Sequence, residues 1–228
     1  EKGGVNISAV HGELPEVLRN QFKVKEGKFF ACGLSLVLHP INPFVPTVHA
    51  NWRYFEMYDE AGNIVTQWFG GGQDLTPYYL FEEDAKHFHS VCKSACDKHD
   101  KNFYEDYKKR CDEYFYNSHR NEGRGIGGLF FDYCKANDTM DMQQWYAFVT
   151  AVGDSFLEAY TPIVEKRKNL TYTEAQRDWQ EIRRGRYVEF NLVHSIKRDV
   201  FPYKSHALGK ITLLNQSLLL SVSLHLVQ

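Results

Sequence analysis

The sequence predicts an α+β fold, a single domain on a mainly antiparallel sheet. Three observations carry this expectation. Alternating apolar segments dominate before residue 70, helical periodicities follow residue 80, and no strict strand–helix–strand rhythm links them. A length of 228 residues suits one large domain or at most two small ones, and 43% hydrophobic with 25% charged residues is the balance of a globular chain.

In chain order, FFACGLSLVLH (29–39) alternates, with Cys32, Leu34, Leu36 and Leu38 on one side of a strand and Ser35 and His39 on the other. PINPFVP follows as a loop, because its prolines cannot continue a ladder. TVHANWRYFEMY, DEAGN and IVTQWF read as a hairpin with its turn near Gly62. In the first hairpin strand Val48, Ala50, Trp52 and Tyr54 share one face. His49, Asn51 and Arg53 share the other, spaced about 7 Å apart. Such a polar row either meets solvent on the open side of a sheet or requires partners or a ligand. GGGQDLTPYY (70–79) then sets three glycines before the carboxylate of Asp74 and reads as a bend where the chain leaves the hairpin.

Segments 81–99 and 103–119 read as helices, the first acidic at its start and basic at its end. GRGIGGLFFDY interrupts the pattern, and a long amphipathic helix spans about 140–168, with Pro162 a candidate kink. Thr173 and Gln176 resemble a capping box opening a short helix that stops at Gly185. RYVEFNLV (186–193) alternates and is predicted as a further strand.

A net charge of −2 gives no electrostatic basis for binding nucleic acid or an acidic membrane surface, and no apolar run of about 18 residues predicts a membrane span. Five cysteines without a CxxC pair read as reduced thiols in a cytosol-like compartment. The first residue is Glu1 rather than Met, so the sequence reads as a fragment whose targeting segment could lie outside it. Aromatic residues, 15% of the chain, suit either a cavity lined by flat rings or a plain aromatic core.

GRGIGG is a weak phosphate signal without the Walker lysine. Arg183, Arg184 and Arg186 read as helix-terminal cations or as a carboxylate grip. No spacing rule joins His39, His49, His89 and His119. His49 has the strongest case for activity, since Asn51 and Arg53 share its face.

Five strings, GGVNISAVHG, GLSLVLHPINPFVPTVHANWRYFE, WFGGGQDLTPYY, CDEYFYNSHRNEGRGIGGLFFD and RRGRYVEFNLV, together resemble the oxygen-dependent coproporphyrinogen III oxidase family, in order and spacing from Gly3 to about Val193. The resemblance implies a large flat antiparallel sheet flanked by helices, a homodimer, and no organic cofactor. It implies oxidative decarboxylation of two propionates of coproporphyrinogen III to vinyls, with molecular oxygen as co-substrate and carbon dioxide and hydrogen peroxide released. By matching position, His49 is the proton donor, Ser35 contacts substrate, Asn51, Trp52 and Arg53 form a substrate-binding stretch, and Asp74 holds the pyrrole N–H groups. His39, His49, His89 and His119 match histidines assigned to a divalent, manganese-like metal in some members. Arg53 is then a natural partner for a substrate carboxylate. Asp74→Ala is expected to abolish turnover with the fold largely intact. The protein is expected in the cytoplasm, or in an organelle where a targeting segment precedes it.

The resemblance stops after Val193. The family's Asp-Arg-Gly-Thr segment and its later Gly-Arg and Ser-Ile-Leu-Met-Ser-Leu-Pro-Pro runs are replaced by HSIKRDVFPYKSHALGKITLLNQSLLLSVSLHLVQ. Residues 1–193 thus form the family-like domain, and 194–228 an unmatched tail that is expected to weaken or abolish oxidase activity. Two other readings are a tetrapyrrole-binding protein without turnover and a histidine-liganded metalloprotein of another class.

Overall fold

Four strands follow one another as an antiparallel meander: β1 (Lys2–Glu13), β2 (Lys28–His39), β3 (Thr47–Tyr58) and β4 (Ile64–Thr76). The computed structural model describes residues 2–14, 16, 19–20 and 27–200, with side chains described through 192. Residues 201–228, most of the segment expected to depart from the family, lie outside that range. After β4 come helices α1 (Glu82–Asp97) and α2 (Phe103–Tyr114), a two-residue hairpin β5 (Tyr116–Asn117) and β6 (Glu122–Gly123), and strand β7 (Gly127–Cys134). β7 pairs antiparallel with β4, giving the sheet order β1-β2-β3-β4-β7. Helices α3 (Met142–Arg167) and α4 (Glu174–Val200) are the last elements among the described residues.

Period-two alternation decides which side of the sheet each residue serves. Leu36, Val48, Ala50, Leu75, Leu129 and Phe131 are buried against Phe88 and Cys92 of α1 and Phe148, Val152 and Phe156 of α3. Apolar residues at helical spacing along α3 supply that interface. Its start is fixed by a capping box, with Asp141 accepting from the Gln144 amide at 2.8 Å and Gln144 reaching back at 2.8 Å. Arg167, near its end, grips Asp84 at 2.9 Å and Glu83 at the start of α1, locking the two helices together.

Three sequence expectations are corrected. GGGQDLT is not a bend: β4 runs through it, and the hairpin turns at Gly62, which adopts a φ of 84°. A Cβ at Gly72 would lie 2.1 Å from the Leu129 carbonyl oxygen, so the glycine is needed for close approach of β7. The second correction concerns residues 186–193, which continue α4 past Gly185 instead of forming a strand. Gln180, Tyr187 and Phe190 are buried there at helical spacing, whereas Val188 and Leu192 are exposed. RYVEFNLV is short enough to fit either period, and packing selected the helix. Third, α2 ends at Tyr114 rather than near 119, where the chain turns into the β5–β6 hairpin. The sequence reading also left β1 unassigned; its glycines and largely exposed side chains mask a strand signal.

Candidate active site

The second face of the sheet carries the polar row. His49 on β3 stands directly opposite Asp74 on β4, and its Nδ1–H donates to Asp74 Oδ1 at 2.7 Å. Asp74 Oδ2 accepts from Arg124 Nη2 at 2.6 Å. Asp74 is 2% exposed and Arg124 5%, so this is an ion pair buried away from water. The guanidinium carbon of Arg124 lies 3.7 Å from the Phe115 ring centroid and 4.7 Å from that of Tyr187, between aromatic faces that stabilise a desolvated cation.

Arg124 reaches this position through the glycine-rich run 123–128. A Cβ at Gly128 would lie 2.0 Å from the Gln73 carbonyl oxygen, so only glycine lets β7 approach β4 so closely there. The run that read as a weak phosphate signal therefore delivers a cation to Asp74. Sequence reasoning missed Arg124; the available signal was a lone arginine inside a glycine cluster that follows aromatic residues.

Burial acts most strongly on Asp74 and opposes its ionisation, yet the Arg124 charge and the His49 hydrogen bond hold its pKa below the ordinary carboxylate value. Burial likewise opposes the charge on Arg124, and Asp74 reverses the balance, raising its pKa. Tyr187, buried beside them, is pushed up to about 12, chiefly by burial.

Beside this pair a small cleft lies between His49, Asn51, Arg53 and Asp74 on the sheet and Tyr114, Phe115 and Phe130 above it. The polar row therefore faces protein and an aromatic-walled cleft rather than open solvent. Arg53 is already balanced by Asp132, 3.0 Å away, and donates to Asn51 at 3.0 Å. Its buried Nε has no hydrogen-bond partner among the described residues. Ser35 stands opposite Asn51 and is 4% exposed, on the same face. Trp52, placed in the substrate-binding stretch by resemblance, packs on the opposite face, its ring 6.0 Å from Phe156 and against Gly153. Alternation along β3 forces this, so Trp52 supports the sheet from behind.

A model of the coproporphyrinogen III oxidase family matches residues 1–202. The chain belongs to that family. Coproporphyrinogen-III oxidase 1, chloroplastic, from Arabidopsis thaliana is 52% identical over 204 residues, covering 85% of this chain and 52% of the plant protein. The oxygen-dependent coproporphyrinogen-III oxidase of Francisella tularensis subsp. holarctica is 56% identical over 195 residues, covering 85% of this chain and 62% of the bacterial one. The chain thus spans about half the length of its plant relative. Among the described residues no helix is long and apolar enough to cross a membrane.

Each histidine of the family's set holds its own partner in the fold. His49 is engaged with Asp74, and His39 Nδ1 with the Thr47 hydroxyl at 2.9 Å. His89 holds Tyr104 and the Ile126 carbonyl, and His119 holds Glu189 at 2.6 Å. Among the described residues no three His, Cys, Asp or Glu side chains are grouped to hold one ion. The structure does not bring the four histidines together.

Proposed function

We propose that this chain performs, at a rate lowered by the departure of its sequence after Val193, the reaction of its family, the oxygen-dependent conversion of two propionate arms of coproporphyrinogen III into vinyls in haem and porphyrin synthesis. Each propionic acid arm loses carbon dioxide and two hydrogens with their electrons; one O₂ accepts both and leaves as hydrogen peroxide. The observation that carries this reading is the buried His49–Asp74–Arg124 chain beside an aromatic cleft.

Asp74 fixes the His49 ring through Nδ1–H, which leaves Nε2 to exchange a proton with the reacting arm or the departing peroxide. Ionised Asp74 places negative charge beside the pyrrole as positive charge develops on it, and Arg124 keeps that carboxylate ionised inside the fold. Arg53 and Asn51, which line the cleft, orient the arm. A homodimer belongs to the same reading, and sedimentation at micromolar concentration tests it.

The test is aerobic turnover of coproporphyrinogen III by the full chain, following protoporphyrin fluorescence after oxidation together with peroxide. Two peroxides per tetrapyrrole are expected. His49→Gln should lower kcat by about 10²–10⁴-fold. Tight tetrapyrrole binding without oxygen consumption by the unaltered chain would replace this reading with that of a binding protein.

A further inference from the structure

The glycine-rich run that delivers Arg124 has little stiffness of its own, so the bonds that pin it matter. Arg124 N–H donates to the Phe115 carbonyl at 3.0 Å, and Ile126 N–H donates to the Leu75 carbonyl on β4 at 3.0 Å. A third bond comes from α1. His89 Nε2 lies 3.1 Å from the Ile126 carbonyl oxygen, and His89 Nδ1 lies 3.1 Å from the Tyr104 hydroxyl. A carbonyl can only accept, so Nε2 carries the proton. In the neutral ring Nδ1 is then the acceptor for the Tyr104 hydroxyl.

Both ring nitrogens are thereby engaged. A metal ligand needs a free lone pair on one of them, and here one nitrogen donates while the other already accepts. The position also argues against a shared ion. α1 packs on the apolar face of the sheet with Phe88 and Cys92, whereas His49 projects from the opposite face beside Asp74.

We propose that His89 is a positioning residue, a strut from α1 that fixes the Ile126 peptide and, through the glycine run, the placement of Arg124 on Asp74. The assignment replaces a metal-ligand role for this histidine. It rests on the reading of Asp74 and Arg124 as working parts of the site. Ile126 is bonded on one side to β4, which carries Asp74, and on the other to α1. The strut thus sets the distance between the arginine-bearing loop and the strand that holds its carboxylate. Tyr104 on α2 fixes the rotation of the ring, so three elements converge on the loop.

The experiment compares His89→Leu, which removes the donor, with His89→Gln, whose side-chain amide can donate to the same carbonyl. Amide hydrogen exchange at Arg124 and Ile126 should accelerate about tenfold in His89→Leu relative to amides of β3, and stay within about threefold of the unaltered chain in His89→Gln. In turnover, His89→Leu should lower kcat about tenfold with KM changed less than twofold, and His89→Gln should recover most of the rate. Manganese(II) titration of all three chains should give the same result. Loss of manganese binding in both variants, with His89→Gln as impaired as His89→Leu, would make His89 a metal ligand and overturn the proposal. Unchanged exchange in His89→Leu would overturn it equally. If the unaltered chain does not turn over, the oxidase reading fails while the exchange comparison still decides the strut.

Discussion

Replacing Asp74 by Asn keeps the shape of the side chain and removes its charge, leaving Arg124 as a cation that is 5% exposed. Arg124 does not lose its proton at working pH, and its buried Nε has no hydrogen-bond partner among the described residues. The rings of Phe115 and Tyr187 already face it in the intact protein, so they offer no new compensation. Breaking a buried ion pair by removing one partner costs about 3–5 kcal/mol. That is a large share of the roughly 5–15 kcal/mol that holds an ordinary domain together. With a urea slope of about 3 kcal/mol per molar, the unfolding midpoint should fall by about 1–1.7 M. Arg124→Met strands the opposite charge and should also destabilise. The double variant carries neither charge and should recover at least ~2 kcal/mol relative to the sum of the single losses. A loss below ~1 kcal/mol for Asp74→Asn, or strict additivity in the cycle, would refute the buried pair. The expectation that Asp74→Ala spares the fold gives way here, because the carboxylate is the counter-charge of a buried arginine as well as a candidate catalytic group.

His39 supplies a pH signature. Burial first, then the charges of Arg184 and Arg124, lower its pKa to about 4. Between about pH 6.5 and 4 the unfolded chain therefore binds more protons, so its stabilising contribution is complete above that window and is lost as pH falls through it. The effect should be on the order of 2 kcal/mol, read as a falling urea midpoint in EDTA and flattened by His39→Gln; an equal slope in that variant would discard the assignment. Gly72→Ala should force β4 and β7 apart, costing at least ~3 kcal/mol and lowering Tm by roughly 6–12 °C. A melting temperature within about 2 °C of the unaltered chain would show that the strands do not approach as closely as described.

Local sequence set the phase of the strands. Alternation put His49, Asn51 and Arg53 together, with Trp52 behind them, and the structure keeps that division even where family resemblance grouped Trp52 with its neighbours. The turn at Gly62 and the capping box at Thr173 were legible for the same reason, since each is decided by residues within a few positions. RYVEFNLV was misread because so short a segment satisfies both periods until packing of Tyr187 and Phe190 selects one. What only the tertiary structure decided is the chemistry of Asp74. Its two partners lie 25 residues before it and 50 after, and a buried charge pair follows from three-dimensional closure rather than from spacing. The sequence shows an acid among glycines; the fold brings Arg124 to it and excludes the water that would otherwise solvate both.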